Sequence, residues 1–185
     1  MKTYIENPNP ELYNLLKWLN NCTSKNLERQ HAVINCVHIT RFMLEATNGY
    51  LAVRAYIEAP VGYYATIEDG IYYIESVTKK LIVMDSREGT FVPMDQVMNG
   101  LHIPEGHTLA CIDPEFLSLV TKGFDRAFIN IHGDRYPVEI VLKGDAMPKG
   151  TYLAIVMPML SDVPIEAVMT DAFSKLVSDK SNNVL

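Results

Sequence analysis

The chemistry open to this chain begins with five histidines and three cysteines. His31, His38, His102, His107 and His132 form no HExxH pattern, and Cys22, Cys36 and Cys111 form no CxxC or zinc-spaced pair. Cys36 and His38 stand at i and i+2, on one side of a strand, where a thiol and an imidazole can serve as nucleophile and base. The other reading of a thiol beside Val37 and Ile39 is an inert core residue. Phosphate loops of the GxxxxGK[ST] and GxGxxG types are absent, as is a GxSxG elbow. Glu68-Asp69 and Asp134 adjoin glycines in turn sequences and suggest no acid–base pair. No cofactor and no metal is expected. Tyr63, Tyr64, Tyr72 and Tyr73 offer rings on which bases could stack, although cross-strand packing also explains them.

The remaining chemistry is electrostatic. Lys17, Lys25 and Arg29 belong to a first helical segment and the turn after it, and Lys122 and Arg126 to a second. On adjacent helices these five cations would make a strip able to track a phosphate backbone, binding double-stranded DNA without sequence choice. The competing reading is an ordinary solvated helix face. The whole chain is acidic, with 16 basic against 22 acidic side chains, so it is no globally basic nucleic-acid binder.

The elements that must position these residues follow from pattern. With 185 residues, 48% apolar and 21% charged, the chain suits one folded domain and excludes wholesale disorder. No apolar run reaches the eighteen or so residues of a membrane helix. The segment MKTYIENPNP lacks a signal-peptide h-region, and the odd cysteine count argues against a disulfide framework, so a reduced cytoplasm is expected. Asn9-Pro10-Glu11 signals a helix start, with Leu12, Leu15, Leu16 and Leu19 as its apolar stripe and Asn14, Lys17 and Asn21 on the opposite face. Asp113-Pro114-Glu115 repeats the signal, and the spacing predicts a helix over 114–126 with Phe116, Leu117, Val120 and Phe124 buried. Gly123 weakens this second helix by roughly 1 kcal/mol without forbidding it.

Around each helix lie strand-like runs. MKTYIE precedes the first, and AVINCVHI, RFMLEAT and GYLAVRAYI follow it; HTLACI precedes the second, and AFINIH, PVEIVLK and TYLAIVM follow. The chain thus reads as β-α-β-β-β twice, an α+β fold with two adjacent helices on one face of an antiparallel sheet. The halves are 1–57 and 107–160 of a single 1–160 domain, separated by a β-rich insertion over 61–104. Within the insertion, the Glu68-Asp69-Gly70 turn suggests a hairpin between YYATIE and GIYYIESV. Residues 161–185 form a C-terminal extension in which Ile165, Val168, Met169, Ala172, Phe173 and Leu176 recur at helical spacing.

Two short segments add a family resemblance. Ala46-Thr47-Asn48-Gly49-Tyr50 resembles the A-T-D-G-H segment of bacterial DNA polymerase III β sliding clamps, with Asn48 and Tyr50 in place of the usual Asp and His. Ala154-Ile155-Val156-Met157-Pro158-Met159 resembles that family's closing I-M-P-M-R-L, without its Arg, and LACIDPEFLSLVTKGF is similar to a strand leading into a D-P-x-x-L helix. The resemblance implies a clamp-like domain whose helix cations face DNA. It also implies that Met157, Pro158 and Met159 help form a pocket for peptides of replication proteins or a polymerase. Bacterial clamps carry three such domains per chain and this chain has room for one, so a six-domain ring would need a homo-oligomer. That size suits a phage or mobile element. The function so implied is a non-enzymatic replication accessory protein; the alternatives are a clamp-fold interaction module without DNA binding, or a small enzyme using Cys36 and His38.

Overall fold

Asn9 and Asp113 cap the helices that their sequences announce. In the computed structural model, which describes residues 1–25, 33–94, 110–131 and 136–159, the Asn9 side chain accepts the Glu11 N–H and Asp113 accepts that of Glu115, each at 2.8 Å. Proline follows both caps at the first helical position, where its missing N–H costs nothing. Helix α1 covers Pro10–Asn21 and buries Leu12, Leu15, Leu16, Trp18 and Leu19. A single turn, α2, covers Val61–Tyr64, and α3 covers Pro114–Thr121.

The strands are β1 (Lys2–Glu6), β2 (Val37–Ile39), β3 (Met43–Thr47), β4 (Leu51–Ile57), β5 (Gly70–Val77), β6 (Leu81–Arg87), β7 (Arg126–Asn130), β8 (Val138–Lys143) and β9 (Gly150–Val156). They form one sheet in the order β1-β6-β5-β2-β3-β4-β9-β8-β7, each neighbouring pair antiparallel. Two three-strand meanders, β2-β3-β4 and β9-β8-β7, meet in mirrored order at the β4–β9 ladder, where Leu51 lies opposite Val156 and Ile57 opposite Gly150. Gly150 permits that join. A Cβ there would sit 2.0 Å from the Tyr56 carbonyl oxygen, far inside contact distance, so any larger residue would pry the two strands apart.

Alternation along the strands sets the layers. Val53 and Ala55 on β4, Ile140 and Leu142 on β8, and Tyr152 and Ala154 on β9 share one core with the α1 leucines and Val120 of α3. The helices also meet each other, as the sheet-plus-helices reading requires. The Trp18 indole N–H donates to the Val120 carbonyl at 2.9 Å, and Trp18 packs edge-on against Phe124 and Tyr152 at ring-centroid distances of 5.0 and 5.9 Å.

Several expectations are corrected. Helix α3 stops at Thr121, not 126, because Gly123 takes φ +89 and the Phe124 N–H turns back to the Thr121 carbonyl. Glycine ends this helix instead of merely weakening it, which moves Arg126 onto β7. YYATIE forms no hairpin strand. Val61 to Tyr64 make the α2 turn after Pro60, and the hairpin is β5–β6, closed by the Thr78 hydroxyl against Leu81. HTLACI supplies no strand at 110–112, and its first residues lie outside the described ones, so among the described residues the second half shows α-β-β-β. The expected helical extension over 161–185, the end of the 61–104 insertion and Arg29 also lie outside the described residues.

Candidate peptide-docking site and basic cleft

The turn between β3 and β4 is built by side chains that replace missing backbone partners. The Thr47 hydroxyl donates to the Leu51 carbonyl at 2.7 Å and accepts the Gly49 N–H at 3.1 Å. Asn48 Oδ1 accepts from both Tyr50 and Leu51 N–H at 2.9 Å. An aspartate would accept the same two bonds, so the Asn48 departure from the clamp segment leaves the turn intact. This turn holds Tyr50 out at the surface, where its ring stacks on Phe116 of α3 at 6.0 Å. The Tyr50 carbonyl accepts the Met157 N–H at 2.8 Å, which brings the end of β9 alongside the turn.

Between these two segments opens a cavity of about 370 Å³, lined almost wholly by apolar side chains. Thr47, Gly49, Tyr50 and Ala52 form one wall, Ile155 and Met157 a second, and Phe91, Val92 and Met94 a third. Of the three residues expected at a partner pocket, Met157 lines it, whereas Pro158 and Met159 lead away and the Met159 N–H is tied to the Cys111 carbonyl at 2.7 Å. The third wall comes from the 61–104 insertion, beyond its last strand.

That wall is anchored on a buried polar cluster. Glu45 and Arg54 lie opposite each other on β3 and β4, on the face away from the helices, yet are 1% and 2% exposed. Arg54 donates to Glu45 Oε1 through Nε at 2.8 Å and Nη2 at 2.6 Å, and through Nη1 to the Tyr56 hydroxyl at 2.7 Å. The Met94 N–H also donates to Glu45 Oε1, at 3.1 Å, and His38 Nδ1 lies 3.4 Å from Oε2. Phe91 stacks on the His38 ring at 5.1 Å. Burial alone would raise the Glu45 carboxyl, but the bonds from His38, Met94 and Arg54 and the Arg54 charge outweigh it and hold the group below its ordinary value.

His38 is therefore engaged with Glu45 and Phe91. Cys36 precedes β2 instead of sharing it, donates toward Asn35 Oδ1 at 3.2 Å, and is pushed up to about 11 by burial, a poor setting for a thiolate. Among the described residues, no three His, Cys, Asp or Glu side chains converge in a way that could hold a metal ion, and no helix is long and apolar enough to cross a membrane. The four tyrosines do not form one platform. Tyr72 is buried with its hydroxyl on the Glu68 carbonyl, Tyr73 faces Arg87, and Tyr63 and Tyr64 meet edge-on in α2.

The four cations among the described residues separate. Lys17 and Lys122 line a second cleft, about 200 Å³, together with Asn14, Trp18, Asn21 and Met147. Lys17 Nζ rests on the Tyr13 hydroxyl at 2.9 Å, and Asn14 donates to the Ala146 carbonyl, so the polar face of α1 looks into this cleft. Lys25 caps the C-terminal end of α1, donating to the Asn20 carbonyl and to Thr23 Oγ1. Burial lowers its pKa. Arg126 lies on β7 opposite Lys143.

No family model matches the chain, and no curated protein is similar to it in sequence. Among solved structures, the DNA polymerase sliding clamp of Pseudomonas aeruginosa, determined with a ligand, superposes with a TM-score of 0.50 at 12% identity, covering 87% of this chain and 67% of that one. The fold is clamp-like. The DNA polymerase III subunit beta of the same organism gives 0.49 at 11% identity, again over 87% of this chain and 67% of that one. The beta subunit of Thermotoga maritima gives 0.42 at 12%, over 87% and 66%. A clamp-like fold accounts for the single antiparallel sheet with its helices on one face. Trp18, Glu45, Arg54 and Phe91 are the residues that sequence reasoning passed over. Trp18 adjoins the α1 leucine stripe and was open to discovery there, whereas nothing local marks Glu45 or Arg54 as buried.

Proposed function

We propose that the chain is a non-catalytic, clamp-like accessory protein of DNA replication, working through the apolar cavity beside Tyr50 and Met157. The occupant is an apolar peptide segment of a polymerase or another replication protein. One observation carries this reading: the two stretches that resemble the clamp family, far apart in sequence, line the same cavity, through Ala46, Thr47, Gly49 and Tyr50 from one and Ile155 and Met157 from the other. Ala52, which faces that space from β4, gives the test. Fluorescein-labelled hexapeptides rich in Leu and Phe are expected to bind with a Kd of roughly 1–100 µM by fluorescence polarisation. In the folded Ala52→Trp variant binding should weaken at least tenfold. Affinity that is absent, or unchanged by that variant, would remove the reading.

A second reading, contact with double-stranded DNA, is favoured by the pairing of Lys17 and Lys122 in one cleft. Lys25 is spent on capping a helix, which leaves Lys17 and Lys122 as the pair that shares a cleft. Replacing Lys17 and Lys122 by Glu should flatten the slope of log affinity against log salt by roughly 2, about 0.9 for each lost contact. A slope that does not move returns both residues to the solvated-face reading and leaves a clamp-fold interaction module. In either reading the protein works in the cytoplasm.

A further inference from the structure

We propose that the sheet face turned away from the helices binds single-stranded DNA, on a platform of two cations and two exposed rings; the choice of DNA rests on the replication reading above. Arg126, the cation whose sequence position suggested a helix, stands on β7 directly opposite Lys143 of β8. Both are exposed, and neither enters a salt bridge among the described residues. Like charges that face each other across a ladder repel, and an anion seated between them removes that repulsion. Strand alternation fixes the face they occupy. Ile140 and Leu142 of β8 point into the core, so Val141 and Lys143 point the other way, together with their partners Phe128 and Arg126.

Two rings flank the cations on that face. Phe128, two residues from Arg126, is 54% exposed. Tyr56 of β4 is 41% exposed, shares the face of Arg54, and is held there by the bond from Arg54 to its hydroxyl. Strands β8 and β9 lie between β7 and β4. At about 4.8 Å per strand and 3.4 Å per residue, the two rings are roughly 16 Å apart, a span of a few nucleotides. The sole acid of β7 and β8 is Glu139, at the far end of the ladder, where it accepts the Asn130 amide at 3.1 Å. Asp125 lies just before β7, and its carboxylate accepts the Asp145 N–H at 3.0 Å. Exposed rings beside unpaired cations suit a strand whose bases are free to stack while its phosphates are neutralised. A duplex keeps its bases stacked on each other, and an apolar protein surface would bury Arg126 and Lys143 without a counter-charge.

The experiment titrates the full chain into a fluorescein-labelled deoxythymidine decamer and follows polarisation from about 50 mM salt upward. A Kd of roughly 1–100 µM is expected. Arg126→Gln with Lys143→Gln should weaken binding at least tenfold and flatten the slope of log affinity against log salt by roughly 1.4, about 0.7 for each contact. Phe128→Ser should weaken binding at least fivefold with the slope unchanged, since it removes a stacking surface and no charge. Both variants alter exposed side chains and should melt as the wild type does. Lys17→Glu with Lys122→Glu, on the helix side, should leave the decamer's affinity as it was. Absent binding, or affinity unmoved by the Gln pair and by Phe128→Ser, would overturn the inference. So would a duplex or a uridine decamer that binds tenfold more tightly. A wild type with twice the mass of Phe128→Ser by light scattering would also overturn it, because the face would then serve self-association. If the Leu- and Phe-rich hexapeptides bind and the decamer does not, the peptide reading stands and the platform falls. If neither binds, both fall.

Discussion

Glu45→Ala should destabilise the fold by about 3–5 kcal/mol, because it strands the Arg54 guanidinium at 2% exposure without its counter-charge. The same change removes the acceptor for the Met94 N–H, so the wall of Phe91, Val92 and Met94 should loosen along with it. Replacing both partners, Glu45→Leu with Arg54→Met, should recover most of the loss, since the desolvation cost of the two ions goes with them. Urea midpoints for the wild type, the single variant and the double variant decide this; a single-variant loss below about 1 kcal/mol would show that the pair is not buried as described. The pH dependence follows in sign. The folded carboxyl titrates below its ordinary value of about 4.5, so its stabilisation is complete above that value and is lost as pH falls through the lower, folded one. The gap between wild type and Glu45→Gln should accordingly shrink in acid, below about pH 4.5.

Trp18→Ala is expected to cost a similar amount, about 3–5 kcal/mol, the usual range for truncating a buried aromatic. In a domain of this size that lowers the melting temperature by roughly 6–20 °C. Trp18 contacts Phe124 and Tyr152 by its rings, and its N–H also serves the Val120 carbonyl, one of the C-terminal carbonyls that α3 cannot satisfy within itself. A side chain of α1 thereby caps α3. Trp18→Phe isolates that contribution: it keeps a ring but orphans the carbonyl, and should cost about 1–3 kcal/mol. Calorimetry of the two variants makes the comparison, and a Trp18→Phe melt equal to wild type would mean that the cap contributes nothing.

What the residues disclosed in advance was local. Two Asx–Pro–Glu starts and the α1 leucine stripe rest on neighbours in sequence, and both helix starts stand where those signals put them. The end of α3 was local too, but Gly123 was weighed as a propensity when its decisive property is a left-handed backbone that closes the last turn. Glu45 and Arg54 were hidden for another reason. On alternating strands they read as the outward, watered set, yet residues 91–94 cross that face and Met94 bonds to Glu45 there. No pattern within β3 or β4 encodes what a distant segment will cover. The cavity was half visible: its two resembling stretches could be read, and its third wall could not.

The sheet order has a consequence for biosynthesis. β4 cannot complete its ladder until Gly150 to Val156 have been made, and β1 waits for β6. At about 5–20 residues per second on the ribosome, the roughly hundred residues between β4 and β9 take some 5–20 s to appear. Throughout that interval the β4 edge, with Leu51, Val53 and Ala55 along it, has no covalently linked partner to pair with. Yield in the cell should then depend on how that nascent edge is shielded, and a synonymous slow-codon cluster placed between the two strands should send more chains into aggregates while the purified protein melts unchanged.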